Sequence, residues 1–235
     1  MTVLLAYLLL VHQPAGAQIV ADGGLELGTP NPEWEEFSEN FGSPICSVQT
    51  CTGFFGDALQ GDWWAWFGGT AQQETGSLTQ EVTIPTGQAT LSFWLDITLA
   101  GGSGQDFLTA SIDEVELFTV FDTDVGSYHP WTEVTVDVSA FADGGSHLLA
   151  FNSTTFGPQM TNFFLDAIAI TVEADLPGDA DDDGDVDLFD AAAFNDCVTG
   201  PGGGADPPCD TFDFDDDNDV DLVDYGAFQI AFTGS

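Results

Sequence analysis

Two twelve-residue stretches, Asp179 to Asp190 (DADDDGDVDLFD) and Asp213 to Asp224 (DFDDDNDVDLVD), carry Asp at positions 1, 3, 5, 7, 9 and 12 of each. Carboxylates at that spacing suit a hard cation. In a twelve-residue calcium loop, positions 1, 3, 5 and 12 supply side-chain oxygens, position 7 supplies its carbonyl, and position 9 works through water. The predicted ligands are Asp179, Asp181, Asp183, Asp185 and Asp190 in the first stretch and Asp213, Asp215, Asp217, Asp219 and Asp224 in the second, with calcium as the cofactor. Position 6 requires left-handed backbone and holds Gly184 in one copy and Asn218 in the other, the two residue types that adopt it most readily. Val186 and Val220 at position 8 are expected to let the loops pair back to back over a small shared core. The copies run on in register: Ala193-Phe194 matches Ala227-Phe228, and Thr199-Gly200 matches Thr233-Gly234. A merely solvated acidic tail has no reason to keep that register.

This duplicated loop resembles a dockerin, the module with which secreted bacterial proteins plug into cohesins. Asp190 and Asp224 at position 12, where helix-loop-helix calcium sensors carry Glu, belong to that resemblance. It implies a small α-helical module of paired EF-hand-type loops over residues 174–235 and a cohesin-type partner. The basic residues that dockerins place late in each repeat have no counterpart here, because the chain has no Lys or Arg.

Charge limits the partners. With 40 acidic residues and a net charge of -40, side-chain ion pairs to Lys or Arg do not exist, and nucleic acid and anionic membranes are repelled. A hydrophobic content of 43% with 20 Phe still provides a core. The four cysteines form two local pairs, Cys46 with Cys51 and Cys197 with Cys209, read as disulfides of an oxidising compartment, with a zinc site as the alternative.

The elements that would carry a site come before the loops. Residues 1–17 read as a secretory signal peptide: an apolar run from Val3 to Val11, too short to span a bilayer, then Ala15-Gly16-Ala17 as the cleavage site. The mature chain is expected to be extracellular, without membrane insertion. Residues 18–173 alternate like an all-β sandwich, with strands over 78–84, 89–97, 107–112, 116–121, 131–138, 147–152 and 163–172. Leu91, Phe93, Leu95 and Ile97 share one face of their strand. In the last strand Phe164, Asp166, Ile168, Ile170 and Val172 are in phase, so Asp166 is expected on a buried face, satisfied either by backbone amides or by a metal ion. Asp22 to Glu26 is expected on the first strand. Trp63, Trp64 and Trp66 offer indole faces that could stack on sugar rings, or could be core; strand alternation sends at least one of two sets inward, Trp64 with Trp66 or Trp63 with Phe67.

DGGLELG at 22–28, WWAWFGG at 63–69, SLTQEVTIP at 77–85, VSAFADGGSH at 138–147 and NFFLDAI at 162–168 together resemble the galactose-binding-like jelly rolls, kin to carbohydrate-binding modules of secreted bacterial proteins. The resemblance implies polysaccharide binding and a structural calcium held by Glu26 and Asp166. Catalytic signatures are missing: there is no GxSxG elbow, no HExxH and no phosphate-cradling loop followed by Lys. The fold class expected is mainly β, a jelly-roll sandwich followed by the dockerin-like module, in a secreted non-catalytic calcium protein that binds a glycan or surface polymer. The alternatives are an extracellular assembly component that self-associates in calcium, and a polysaccharide-active enzyme.

Overall fold

The computed structural model describes residues 19–51, 56–173, 176–181, 184–205 and 207–233. The expected signal peptide and Asp183 lie outside them. Ten strands follow in order among the described residues: β1 (Glu35–Ser38), β2 (Ile45–Ser47), a single helical turn α1 (Val48–Cys51), β3 (Trp63–Gly68), β4 (Glu74–Thr83), β5 (Gln88–Leu99), β6 (Phe107–Ile112), β7 (Val115–Phe121), β8 (Thr132–Asp137), β9 (Ser146–Thr155) and β10 (Asn162–Glu173). Two helices close the chain, α2 (Leu188–Cys197) and α3 (Leu222–Ala231).

The strands build two five-stranded sheets, ordered β1-β4-β9-β6-β7 and β2-β3-β10-β5-β8. The fold is therefore mainly β, a sandwich with a small helical C-terminal part. Alternation made β5 legible, and its Leu91, Phe93, Leu95 and Ile97 are fully buried. Phe93 meets Phe151 of the facing sheet with ring centroids 5.2 Å apart, edge to face, and Phe151 meets Trp34 at 6.5 Å. By packing, the described residues form two compact units: 19–82 with Ser92–Thr135 and His147–Ile170, and Thr83–Leu91 with Val136–Ser146 and 171–233.

The start of the sandwich departs from expectation. Asp22 to Glu26 is not a strand, because Asp22 (φ 46°) and Leu25 (φ 60°) are both left-handed and fold the segment into turns closed by Leu25 N donating to Asp22 O. The first strand is β1 instead. The segment touches the last strand: Ile168 N donates to Gly23 O at 2.8 Å, and the approach is so close that a Cβ at position 23 would collide with the Ile168 carbonyl.

In the helical part, α2 and α3 start in the same way. Asp187 and Asp221 are N-caps accepting from Phe189 N and Val223 N at 2.7 Å, while Asp190 and Asp224, three residues on, accept from the N-cap amides at 2.7 Å. Val186, Phe194, Cys197, Ala205, Phe212, Val220 and Phe228 form a shared core. Phe194 sits at the centre of that core, 4.9 Å from Phe228 and 5.3 Å from Phe212.

Both loop valines enter that core, but the expected back-to-back pairing takes another form. Thr199 N and Gly200 N donate to Val220 O at 3.0 Å, and Val220 N donates to Thr199 Oγ1 at 3.2 Å. Likewise Thr233 N donates to Val186 O at 2.9 Å, and Val186 N to Thr233 Oγ1 at 3.0 Å. Each repeat thus clasps the loop of the other through the threonine that follows its helix.

Candidate metal loops and candidate ligand cleft

The capping geometry places the loop carboxylates. Position 9 is the N-cap and position 12 the third helical residue, so the helix start turns the position 12 side chain back over the loop. Asp190 Oδ1 accepts from Ala180 N at 2.6 Å, and Asp224 Oδ1 from Phe214 N at 2.8 Å. At position 1, Asp179 accepts from Gly184 N at 2.9 Å and Asp213 from Asn218 N at 2.8 Å. Gly184 (φ 91°) and Asn218 (φ 65°) are both left-handed, the conformation that aims their amides inward.

Carboxylate oxygens of Asp179, Asp181 and Asp190 lie within 4.8 Å of one another, as do those of Asp213, Asp215 and Asp224. Positions 1, 3 and 12 converge in both loops and could hold a metal ion. Two further triads use positions 7, 9 and 12: Asp185, Asp187 and Asp190, and Asp219, Asp221 and Asp224. Sequence reasoning gave position 7 a carbonyl role and did not foresee its carboxylate in a cluster. Desolvation and then the Asp224 carboxylate push Asp215 above the usual carboxylate range, and desolvation, Asp215 and Asp219 do the same to Asp217. Asp217 stands outside the triads. The donor set, all hard carboxylate oxygen with no side-chain cation to neutralise it, fits a divalent cation.

Glu26 and Asp166 are occupied differently. Glu26 accepts from Asp62 N at 3.1 Å and Trp63 N at 3.2 Å. Asp166, fully buried, accepts from Leu59 N, Gln60 N and Ala167 N at 3.0, 3.3 and 2.6 Å. Burial pushes its carboxyl up to about 6, against the pull of those three amides. Of the two readings of a buried Asp166, the backbone amides are the one these contacts satisfy. The expected phase of β10 holds, with Phe164, Asp166, Ile168 and Ile170 all buried, although Ala167 between them is left-handed (φ 52°).

The tryptophans separate. Trp64 is fully buried, 5.7 Å from Phe164, and this corrects its assignment as a sugar contact, because its indole face has no access to a ligand. Trp63 is half-buried and covers Gly28, where a Cβ would strike the indole ring. Trp66 is half-buried, edge-on to Phe164 at 5.3 Å, and donates from Nε1 to Asn162 Oδ1 at 3.1 Å. It lines a cleft of about 670 Å³ together with Pro30, Glu36, Phe41, Pro44 and Ile45. Phe41 is 61% exposed, so two aromatic rings border one cavity. Sequence reasoning missed Phe41 and Glu36, which lie 25 and 30 residues before Trp66 with no local pattern to connect them. Glu36 is held by Asn31 N at 2.7 Å, Thr29 Oγ1 at 3.1 Å and Ser43 Oγ.

Cys46–Cys51 at the cleft wall and Cys197–Cys209 in the helical part are both disulfides, with Cα atoms 6.1 and 5.3 Å apart, which sets the zinc alternative aside. No helix among the described residues is long and apolar enough to cross a membrane.

No protein-family model matches the chain, and no curated protein matches it. Solved structures resemble the sandwich. A carbohydrate-binding module in complex with β-1,4-galactotriose shares 15% identity over 67% of this chain and 100% of its own, with a TM-score of 0.48. A xylan-binding domain from Paenibacillus barcinonensis shares 15% over 65% and 92%, at 0.39. A Stig cyclase from Fischerella sp. TAU shares 14% over 67% and 97%, at 0.41. At such identities and scores no functional residue is carried over from them.

Proposed function

We propose that this chain is a secreted, non-catalytic, calcium-loaded modular protein. Residues 18–173 form a jelly roll that binds an extracellular glycan or surface polymer, and residues 174–235 form a dockerin-like module that docks it to a cohesin-type scaffold. The observation that carries the reading is the duplication of one hydrogen-bond scheme. In both loops a left-handed amide at position 6 holds the position 1 carboxylate, the second amide of the loop holds position 12, and positions 1, 3 and 12 converge. Calcium held by the carboxylates at positions 1, 3 and 12 would supply the positive charge that the chain lacks.

Docking has a surface to use. Leu188 (75% exposed) and Phe189 (73%) begin α2, and Leu222 (83%) and Val223 (61%) stand at the same places on α3. Exposed apolar pairs at repeated positions suit burial by a protein partner. Polysaccharide binding falls to Trp66 and Phe41 across the cleft, where flat rings suit the apolar faces of pyranose rings.

The test is a polysaccharide and glycan array probed with the full chain in calcium and in chelator, beside Trp66→Ala. Binding that disappears in Trp66→Ala is the expected result; binding to no glycan refutes the glycan half. The apolar pairs also favour a second reading, calcium-dependent self-association in an extracellular assembly. A monomer by light scattering at millimolar calcium would rule that out.

A further inference from the structure

Asp219 is the more deeply buried of the two position 7 acids. It is 4% exposed; its Oδ2 accepts from Gly202 N, and its Oδ1 is buried without a hydrogen bond. A buried carboxylate oxygen left unpaired is costly, and a chain without Lys or Arg has no side-chain cation to bring to it. Asp219 instead faces more negative charge: its carboxylate lies within 4.8 Å of those of Asp221 and Asp224. Asp224 belongs both to this triad and to the one with Asp213 and Asp215, yet the five acids do not close into a single cluster. The two Asp224 oxygens are bound from different sides, Oδ1 by Phe214 N at the loop start and Oδ2 by Asp221 N at the loop end.

We propose that the second loop holds two divalent cations rather than one, the additional ion being bound by Asp219, Asp221 and the shared carboxylate of Asp224. The inference rests on the calcium-loop reading and adds a position 7 carboxylate ligand that a single-ion loop does not use. The ligand class is a hard divalent cation, calcium or magnesium, because every donor is carboxylate oxygen. The first loop repeats the arrangement with Asp185, Asp187 and Asp190. The extra ion ties the loop end to the turn after α2, through the amide that Gly202 gives to Asp219.

The experiment counts calcium ions on the full chain by titration calorimetry and native mass spectrometry, at high monovalent salt to suppress diffuse association. Asp219→Asn keeps the shape and an acceptor for Gly202 N while removing the charge; one calcium ion fewer than wild type is expected, and two fewer in Asp185→Asn/Asp219→Asn. An unchanged count in Asp219→Asn overturns the proposal. Should Asp219→Asn lose its helical circular dichroism in calcium, Asp221→Asn, which preserves the N-cap, gives the same one-ion reading or its refutation. Asp213→Asn distinguishes the two levels. If it loses an ion while Asp219→Asn and Asp221→Asn lose none, the second site fails and the loop reading stands; if none of the three loses an ion, both fail.

Discussion

Chelation should unfold the helical part, and the size of the effect follows from its buried charges. Asp219 and Asp224 are 4% and 1% exposed with oxygens within 4.8 Å. At an effective dielectric near 20, two unit charges at that separation repel by about 3 kcal/mol. Asp179 and Asp190, 8% and 1% exposed in the first loop, repeat the cost. A core of this size supplies roughly 3–5 kcal/mol in all. The repulsion therefore consumes the stability unless a cation intervenes, so metal binding and folding become one event. The assay is circular dichroism during calcium titration of chelated protein at neutral pH. The ten-residue helices α2 and α3 should appear with calcium and vanish with chelator. The pH response supplies the sign. Asp215 and Asp217 are raised by desolvation and by neighbouring carboxylates, so the folded module without metal binds protons more tightly than the unfolded chain. In chelator its stability is present at acid pH and is lost as pH rises through the raised carboxylate range. In calcium the order reverses, because protons compete with metal for the same oxygens. Equal helix content in chelator and calcium at neutral pH would refute the reasoning, as would loss of helix on mild acidification in chelator.

Thr199→Val and Thr233→Val each leave a buried valine amide, Val220 N or Val186 N, without its acceptor; each should cost roughly 1–3 kcal/mol in urea unfolding monitored in calcium, with similar values for the two. Trp64→Ala should destabilise the sandwich by about 3–5 kcal/mol in thermal unfolding, whereas Trp66→Ala should act mainly on glycan affinity. For Asp166, whose carboxyl burial lifts to about 6, the folded chain binds the proton more tightly than the unfolded one, so sandwich stability in chelator should fall as pH rises from about 4 to about 6. Asp166→Asn should remove that part of the slope. If calcium raises the melting temperature of the wild-type sandwich but not that of Asp166→Asn, the structural calcium implied by the jelly-roll resemblance is present after all.

What could be read from the chain alone depended on how local the cause was. The long strands were legible because Leu91, Phe93, Leu95 and Ile97 report their own burial through a two-residue period. The convergence of the loop carboxylates was legible for the same reason, since positions 1 to 12 are contiguous and positions 1, 3 and 12 meet within each loop. The short β1 and β2 carry too few residues to show alternation, and β3 is aromatic on both faces, so pattern could not say that Trp64 is core and Trp66 borders a cleft.

The misreading near Asp22 has its origin in the backbone. A two-residue period presumes extended backbone throughout, and Asp22 and Leu25 break it with positive φ, whereas across β10 the period holds and Phe164, Asp166, Ile168 and Ile170 are all buried. Left-handed residues at both places still serve carboxylates: the turns at Asp22–Leu25 lead into Glu26, and Ala167 gives its amide to Asp166, while residues 59–63 supply the remaining amides to both. The repeat offers the contrasting lesson. Thr199-Gly200 and Thr233-Gly234 were visibly in register, yet nothing in one repeat shows that its threonine bonds the loop valine of the other. That exchange joins residues 21 and 47 positions apart and exists only once both loops have closed. It follows that closure of either loop stabilises the other, and the two loops should fill with calcium cooperatively.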